Sequence, residues 1–454
     1  MKKVALLNIV GLSERHLGPH TPFLTDWCSK YPSSLVDPML PGVTCAVQST
    51  YLTGKTPADH GIVANGWYFR DECEVKLWRQ SNKLVQAKSI WDEAREIDPA
   101  FTVANMFWWY NMYSSADYSV TPRPQYRANG VKVPDCYSHP ASLRDRLQEE
   151  LGTFPLFNFW GPNADIRSTR WIAMASRLVY DWHRPDLLLV YLPHLDYCLQ
   201  KFGPEDARIS GHLRQLDSVV KDLIQYLESE NVKVNIISEY GIVPVNNPIH
   251  INRILRQEGL VRVRMENGLE LLDAGQSAAF AMADHQIAHI YINDASKMAM
   301  VAEILERVPG IAYVLDHTTK KDYSLDHPRS GELVAIANPE SWFTYYYWYD
   351  DKKAPDFART VDIHRKPGYD PVEMFLDPGK KLILPRIAWK LLKKKLGFRT
   401  LLDVIPLDAG LIRGSHGQLN VTDEFKPVFI GPGNAGRKLS PTDIYQIILN
   451  QLFE

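Results

Sequence analysis

Two stretches of the chain, Val4 to Val10 and Pro185 to Leu195, are apolar on both faces, as strands in the middle of a parallel sheet are when helices cover both sides. Phe101 to Met106, Lys233 to Ser238 and Pro427 to Ile430 read as further strands. Between them the period changes to that of helices. Thr21-Pro22 opens one helix and Ser89 to Ile97 forms another, stopped at Asp98-Pro99. Ala141 to Leu151 ends in Gly152, and Arg208 to Glu228 carries Leu213, Leu216, Val219, Val220, Leu223 and Leu227 at helical spacing. His250 to Leu260, Ala295 to Arg307 and a last helix from Ser440 follow. Strands that alternate with helices predict a doubly wound α/β core on a mostly parallel central sheet.

The chain has 454 residues, 45% of them hydrophobic, enough for a large core and too many for one simple domain. Residues 1–260 and 400–454 read as that core. A turn-rich, aromatic stretch at about 107–165 reads as an inserted cap, and 261–399 as a second subdomain that returns to the core. The aromatic run Phe107 to Tyr126 either lines a pocket or packs an interface. A net charge of −2 gives no general attraction for nucleic acid. Five scattered cysteines without a CxxC pair point to a reducing, cytoplasmic location and no structural zinc knuckle. Lys2-Lys3 before an apolar run imitates a leader, but no small-residue cleavage site follows, and Val4 to Val10 is read as a strand.

The chemistry concentrates in Pro41 to Asn65, PGVTCAVQSTYLTGKTPADHGIVAN. A Pro-Gly turn places Thr44 where a short helix should begin, among unpaired N–H groups and at the positive end of the helix dipole. Thr44 is either a helix cap or a nucleophile. The block as a whole, with Leu52-Thr53-Gly54, Pro57 to Gly61 and Asn65-Gly66-Trp67, resembles the nucleotide pyrophosphatase/phosphodiesterase branch of the alkaline phosphatase superfamily. The resemblance implies that Thr44 attacks phosphorus and touches a metal, and that Asn65 donates to a phosphate oxygen. It implies a metal-dependent phosphoric-ester hydrolase acting on a small-molecule phosphate ester, and not on nucleic acid. A catalytically inactive relative that binds a phosphorylated or anionic small molecule is the alternative.

Relatives of this kind hold two metals, and the resemblance carries over only in part. Asp196 and His416, in Gly414-Ser415-His416-Gly417, stand where ligands of the first metal are expected, but Gln200 replaces a histidine. Glu239-Tyr240 stands where Asp-His would bind the second metal, and Val10 where an aspartate would. Glu239 keeps a carboxylate; Val10 ligates nothing, and Tyr240 is a poor ligand. One tight divalent ion, zinc, is therefore expected, with the second site doubtful.

Other residues are candidates for a remodelled centre. His194, two positions before Asp196 on a strand, would face the same side. Asp362 and His364 share a face if extended, with Arg365 and Lys366 available to an anion. His285 and His289 are four apart, a metal pair on a helix or paired core histidines on a strand. Finally, Lys380 to Arg399 mixes many cations with Leu, Ile and Trp. Such a helix either lies on an anionic membrane surface as a peripheral contact or packs its apolar face on its own domain, and the second reading is the ordinary one.

Overall fold

The structure is a computed structural model that describes residues 2–362, 365–432 and 438–454. Its centre is an eight-stranded sheet. In chain order the strands are β1 (Val4–Ile9), β2 (Ser33–Leu35), β3 (Val103–Met106), β4 (Tyr118–Pro122), β5 (Cys136–His139), β6 (Leu187–Leu192) and β7 (Lys233–Ile237). A second, four-stranded sheet contains β8 (Ala279–Asp284), β9 (Ile287–Ile292), β10 (Ile311–Leu315) and β11 (Leu333–Ala337). The last strand, β12 (Val428–Ile430), returns to the large sheet, whose spatial order is β2-β12-β7-β1-β6-β3-β4-β5.

The five strands β7, β1, β6, β3 and β4 pair in parallel, and antiparallel strands flank them on both sides. β1 lies between β6 and β7 with Ile9 opposite Leu192 and Asn8 opposite Ile237, so these three strands end side by side. Every residue of β1 and β6 is buried, which is why both read as apolar runs, interrupted in β1 only by Asn8. The long helices that cover the sheet include α1 (Pro22–Lys30), α2 (Thr44–Thr53), α3 (Ile166–His183), α4 (His194–Phe202) and α5 (Ile209–Ser229). α6 (Ile383–Lys395) lies away from this core, and α7 (Asp443–Phe453) packs against α2 and β1.

Three expectations change. The stretch expected as a cap contributes β4 and β5, which form one edge of the large sheet, so Cys136 to His139 is an edge strand of that sheet. The apolar run from Pro185 stops as a strand at Leu192, and His194 already begins α4, because Pro193 takes the helix N-cap. Ala283 to His289 is a hairpin, β8 to β9, with His285 in its two-residue turn at φ 60°. The second sheet is antiparallel throughout and falls within 261–399. All five cysteines are free.

Candidate functional site

The site gathers at the carboxyl ends of β1, β6 and β7, where open α/β sheets place their ligands. After β1 comes Val10, buried and apolar. After β6 comes the first turn of α4, which carries Asp196 and, one turn on, Gln200. After β7 come Glu239 and Tyr240, followed by Gly241, where a Cβ would lie 1.5 Å from the Phe425 carbonyl oxygen. Only glycine lets the chain pass there.

Thr44 is the first residue of α2, with Val43 as its N-cap, so it is not the cap itself. His416 arrives from the far end of the sequence: Gly414-Ser415 pairs with Val243-Pro244, and Gly414 sits where a Cβ would meet the Leu199 carbonyl of α4 at 2.3 Å. Gln286 N–H donates to the His416 carbonyl at 3.0 Å, which brings the β8–β9 turn alongside.

One hydrogen-bonded line joins these groups. The Thr44 hydroxyl lies 3.0 Å from the Tyr240 hydroxyl, and Tyr240 donates to Asp196 Oδ1 at 3.2 Å. Gln200 Nε2 donates to the same oxygen at 2.9 Å. The Tyr240 ring stacks on the His416 ring with centroids 3.5 Å apart and planes 4° from parallel. His285 packs on the other neighbour of this stack, 3.9 Å from His416 and 4.4 Å from Tyr369. A second network holds Glu239, whose Oε1 accepts from Asn8 Nδ2 and Gln48 Nε2, each at 2.6 Å. Asn65 is engaged as well. Its Oδ1 accepts the Cys45 N–H at the start of α2, while its backbone N–H and one side-chain N–H donate to Asp284.

All of these groups are buried, and burial sets their charges. It pushes the Asp196 carboxyl up to about 7 against the hydrogen bonds from Gln200 and Tyr240. It pushes Glu239 up to about 8, opposed by Gln48, Asn8 and Thr44, and Asp284 up to about 7, opposed by Asn65. Burial drives His416 down to about 3 and His285 well below the usual imidazole range. His416 Nε2 is 3.9 Å from Asp196 Oδ1, but the ring is neutral at pH 7 and the contact is not an ion pair. Among the described residues, none of the hydrogen bonds of Thr44, Asp196, Glu239, Tyr240 or His416 comes from lysine or arginine.

The two expected metal positions fare differently. At the first, the His416 Nδ1–H donates to the Gly42 carbonyl at 2.7 Å, which leaves Nε2 as the bare lone pair. That atom and Gln200 Oε1 are buried without a partner, beside the Asp196 carboxylate. One imidazole, one carboxylate and one amide oxygen fit a single divalent ion. At the second, Val10 offers nothing, both amides occupy one oxygen of Glu239, and the Tyr240 hydroxyl stands between Thr44 and Asp196. These residues do not fit a second ion.

The remaining candidates lie elsewhere. His194 and Asp196 are two apart on a helix, about 200° around its axis, so His194 turns away from the site to His212 of α5, ring nitrogens 3.0 Å apart. Cys198, one turn beyond His194, joins them, and the ligand atoms of the three lie within 4.8 Å of one another. Asp362 pairs with the exposed Arg365 at 3.1 Å, and Lys366 is buried against Glu373 at 2.8 Å. His364 lies outside the described residues. His289 is a core histidine on β9, held by the Val63 carbonyl at 2.9 Å. Sequence reading missed Asn8, Gln48, Asp284 and Tyr369. Asn8 alone carried a visible sign, an amide inside an otherwise apolar strand.

The type I phosphodiesterase / nucleotide pyrophosphatase family matches residues 4–370. The chain belongs to that family of phosphodiesterase- and pyrophosphatase-type hydrolases, within the alkaline phosphatase superfamily, whose members are normally dependent on divalent metal. It is 26% identical over 250 residues to an uncharacterized pyrophosphatase/phosphodiesterase of Schizosaccharomyces pombe, covering 53% of this chain and 41% of that one. It is 21% identical to an ectonucleotide pyrophosphatase/phosphodiesterase of Caenorhabditis elegans, covering 68% and 35%. The chain thus spans about two fifths or less of the length of these relatives.

In structure it is similar to murine ectonucleotide pyrophosphatase/phosphodiesterase 5 in complex with AMP, at 15% identity and a TM-score of 0.59, covering 100% of this chain and 95% of that one. It is also similar to phosphonoacetate hydrolase of Sinorhizobium meliloti 1021 in complex with phosphonoacetate, at 14% identity and a TM-score of 0.63, covering 99% and 96%. The alkaline-phosphatase-like α/β fold is thereby established.

Proposed function

We propose that this protein is a phosphoric-ester hydrolase of the phosphodiesterase or nucleotide-pyrophosphatase kind, acting on a phosphorylated small molecule with Thr44 as nucleophile. The observation that carries the reading is the line from Thr44 through Tyr240 to Asp196 at the start of a buried helix. As the Thr44 oxygen attacks phosphorus and the bond to the leaving ester oxygen breaks, the Thr44 proton passes to the Tyr240 oxygen while the Tyr240 proton passes to Asp196; the leaving oxygen takes a proton from water, and a second water then releases the phosphate from Thr44. Burial alone raises Asp196 to about 7, basic enough to accept that proton near neutrality, and an ion held on Asp196 would lower that basicity. The N-terminal end of α2 favours the phosphoryl oxygens, and the second side-chain N–H of Asn65 is left to donate to one of them.

A divalent ion, zinc in this reading, would be held by Asp196, His416 Nε2 and Gln200 Oε1 and would supply positive charge to the phosphoryl group. Glu239, protonated within the Asn8 and Gln48 network, is a neutral replacement for the second position. The test is hydrolysis of an aryl phosphodiester in the presence of zinc or manganese, by the wild type and by Thr44→Ala. Turnover in the first and none in the second is expected; equal rates remove Thr44 from the mechanism.

One observation favours a second reading, a non-hydrolytic protein that binds a phosphorylated ligand. The Tyr240 ring, stacked on His416, fills space beside the nucleophile. Calorimetric binding of AMP by a wild type that hydrolyses no ester with any metal would select this reading.

A further inference from the structure

Helix α6 is built the wrong way round for a helix that serves only its own domain. Its residues of intermediate exposure, Ile383, Ile387, Lys390 and Lys394, recur at helical spacing and mark the face turned to the protein. The opposite face, an arc of about 160° at 3.6 residues per turn, holds Leu384, Pro385, Ala388, Trp389, Leu391, Leu392 and Leu396, with Lys395 the one charge among them. Leu384 is 67% exposed, Trp389 56% and Leu396 66%, and Phe398 just beyond the helix is 63% exposed. No residue of α6 is buried. The ordinary expectation, an apolar face packed on the same domain, is therefore not met.

Charge decides what kind of surface would cover this face. The segment from Lys380 to Arg399 contains eight cations and no carboxylate. Asp403 and Asp377 neutralise only Lys380, Arg386 and Lys390. Among the described residues, Lys381, Lys393, Lys394, Lys395 and Arg399 have no carboxylate within ion-pair distance. Lys390, Lys393 and Arg399, with Phe398, Leu401 and the carboxylate of Asp403, also line a cavity of about 410 Å³ where the helix meets the following loop, and Arg399 donates to the Ala128 carbonyl at 2.9 Å. Outward leucines, a tryptophan at mid-helix and flanking unpaired cations are the composition that inserts between lipid tails while meeting anionic headgroups. A protein partner with an apolar groove would match the leucines but leave the cations unanswered.

We infer that α6 and the Leu396–Leu401 loop form a docking surface for an anionic phospholipid membrane, with Lys393 and Arg399 placed to meet a headgroup phosphate. This goes beyond the hydrolase reading and does not depend on it. The full chain is tested by co-sedimentation with vesicles of phosphatidylcholine, with and without phosphatidylglycerol, at low and high salt. Binding is expected only to the anionic vesicles and should weaken with salt. Removing the charge of Lys393 or Arg399 should weaken it about five-fold each. Leu391→Glu with Leu392→Glu should abolish it while leaving the thermal transition unchanged, since neither side chain is part of the core.

A blue shift of tryptophan emission on vesicle addition, lost in Trp389→Phe, gives a readout independent of sedimentation. The inference fails if the wild type does not partition to anionic vesicles, or if the double Leu→Glu variant binds as tightly as the wild type. It fails equally if ultracentrifugation shows this face closing a dimer that the double variant breaks, with no vesicle binding in either form.

Discussion

Replacing Glu239 by Gln tests whether the second metal position has become a neutral hydrogen-bonded network. Gln reproduces the protonated acid: its oxygen accepts from Asn8 and Gln48 as Glu239 Oε1 does, and its NH₂ replaces the buried, unpartnered Oε2. In the unfolded chain the Glu239 carboxyl loses its proton near 4.5, and in the folded protein only near 8. Between those values ionisation favours the unfolded chain alone. The stability this group contributes is thus fully present below pH 4.5 and is lost as pH rises through 8. At about 1.4 kcal/mol per unit, the loss accumulates to about 3–5 kcal/mol.

Glu239→Gln, which has nothing to titrate, escapes that loss. Urea denaturation of both proteins across this range, taken as a difference so that other titrating groups cancel, should show near-equality at pH 4.5. By pH 8 the variant should be the more stable by about 3–5 kcal/mol. A flat difference, or a variant less stable at pH 8, would mean that Glu239 is already ionised at neutrality. If added zinc lowered the wild-type transition toward acid values, Glu239 would be a metal ligand and the network reading wrong.

Tyr240→Phe keeps the stack on His416 but removes the hydroxyl between Thr44 and Asp196; it should cost about 1–3 kcal/mol of stability and slow ester hydrolysis, and unchanged turnover would exclude Tyr240 from the proton path. Thr44→Ala should cost about 1 kcal/mol, because one buried hydrogen bond is lost while Tyr240 still donates to Asp196; a thermal scan reads this directly. Elemental analysis after zinc loading and removal of free ion should find an equivalent that Asp196→Ala with His416→Ala abolishes. The Cys198→Ser, His212→Ala variant separates any ion held on the other side of α4, and zinc that persists at the catalytic side in the Asp196, His416 variant contradicts the assignment.

The parallel core was legible because its strands are buried on both faces, so Val4 to Ile9 and Leu187 to Leu192 needed no partner to be recognised. Thr44, Asp196, Glu239 and His416 were legible through motif order, and the fold brings them to one place. What failed was local. Treating His194 as strand rather than the first residue of a helix turned it to the wrong side, since two residues along a strand return to the same face and two along a helix do not. His285 was equivocal because a four-residue spacing suits a helix as well as a hairpin, and only the pairing of β8 with β9 decides. Gln48, Asp284 and Tyr369 act through contacts distant in sequence, and a single chain read residue by residue carries no sign of them. For α6, amphipathic spacing defined an apolar face, but which side faces the protein is set by tertiary packing.

The central claim is that Thr44 attacks phosphorus, and the most direct measurement is acid quench of metal-loaded enzyme during turnover of a phosphodiester, followed by peptide mass spectrometry. The account predicts an ester adduct on Thr44 in the wild type and none in Thr44→Ala. Turnover that leaves no adduct on Thr44, or an adduct on another residue that survives in Thr44→Ala, would contradict it.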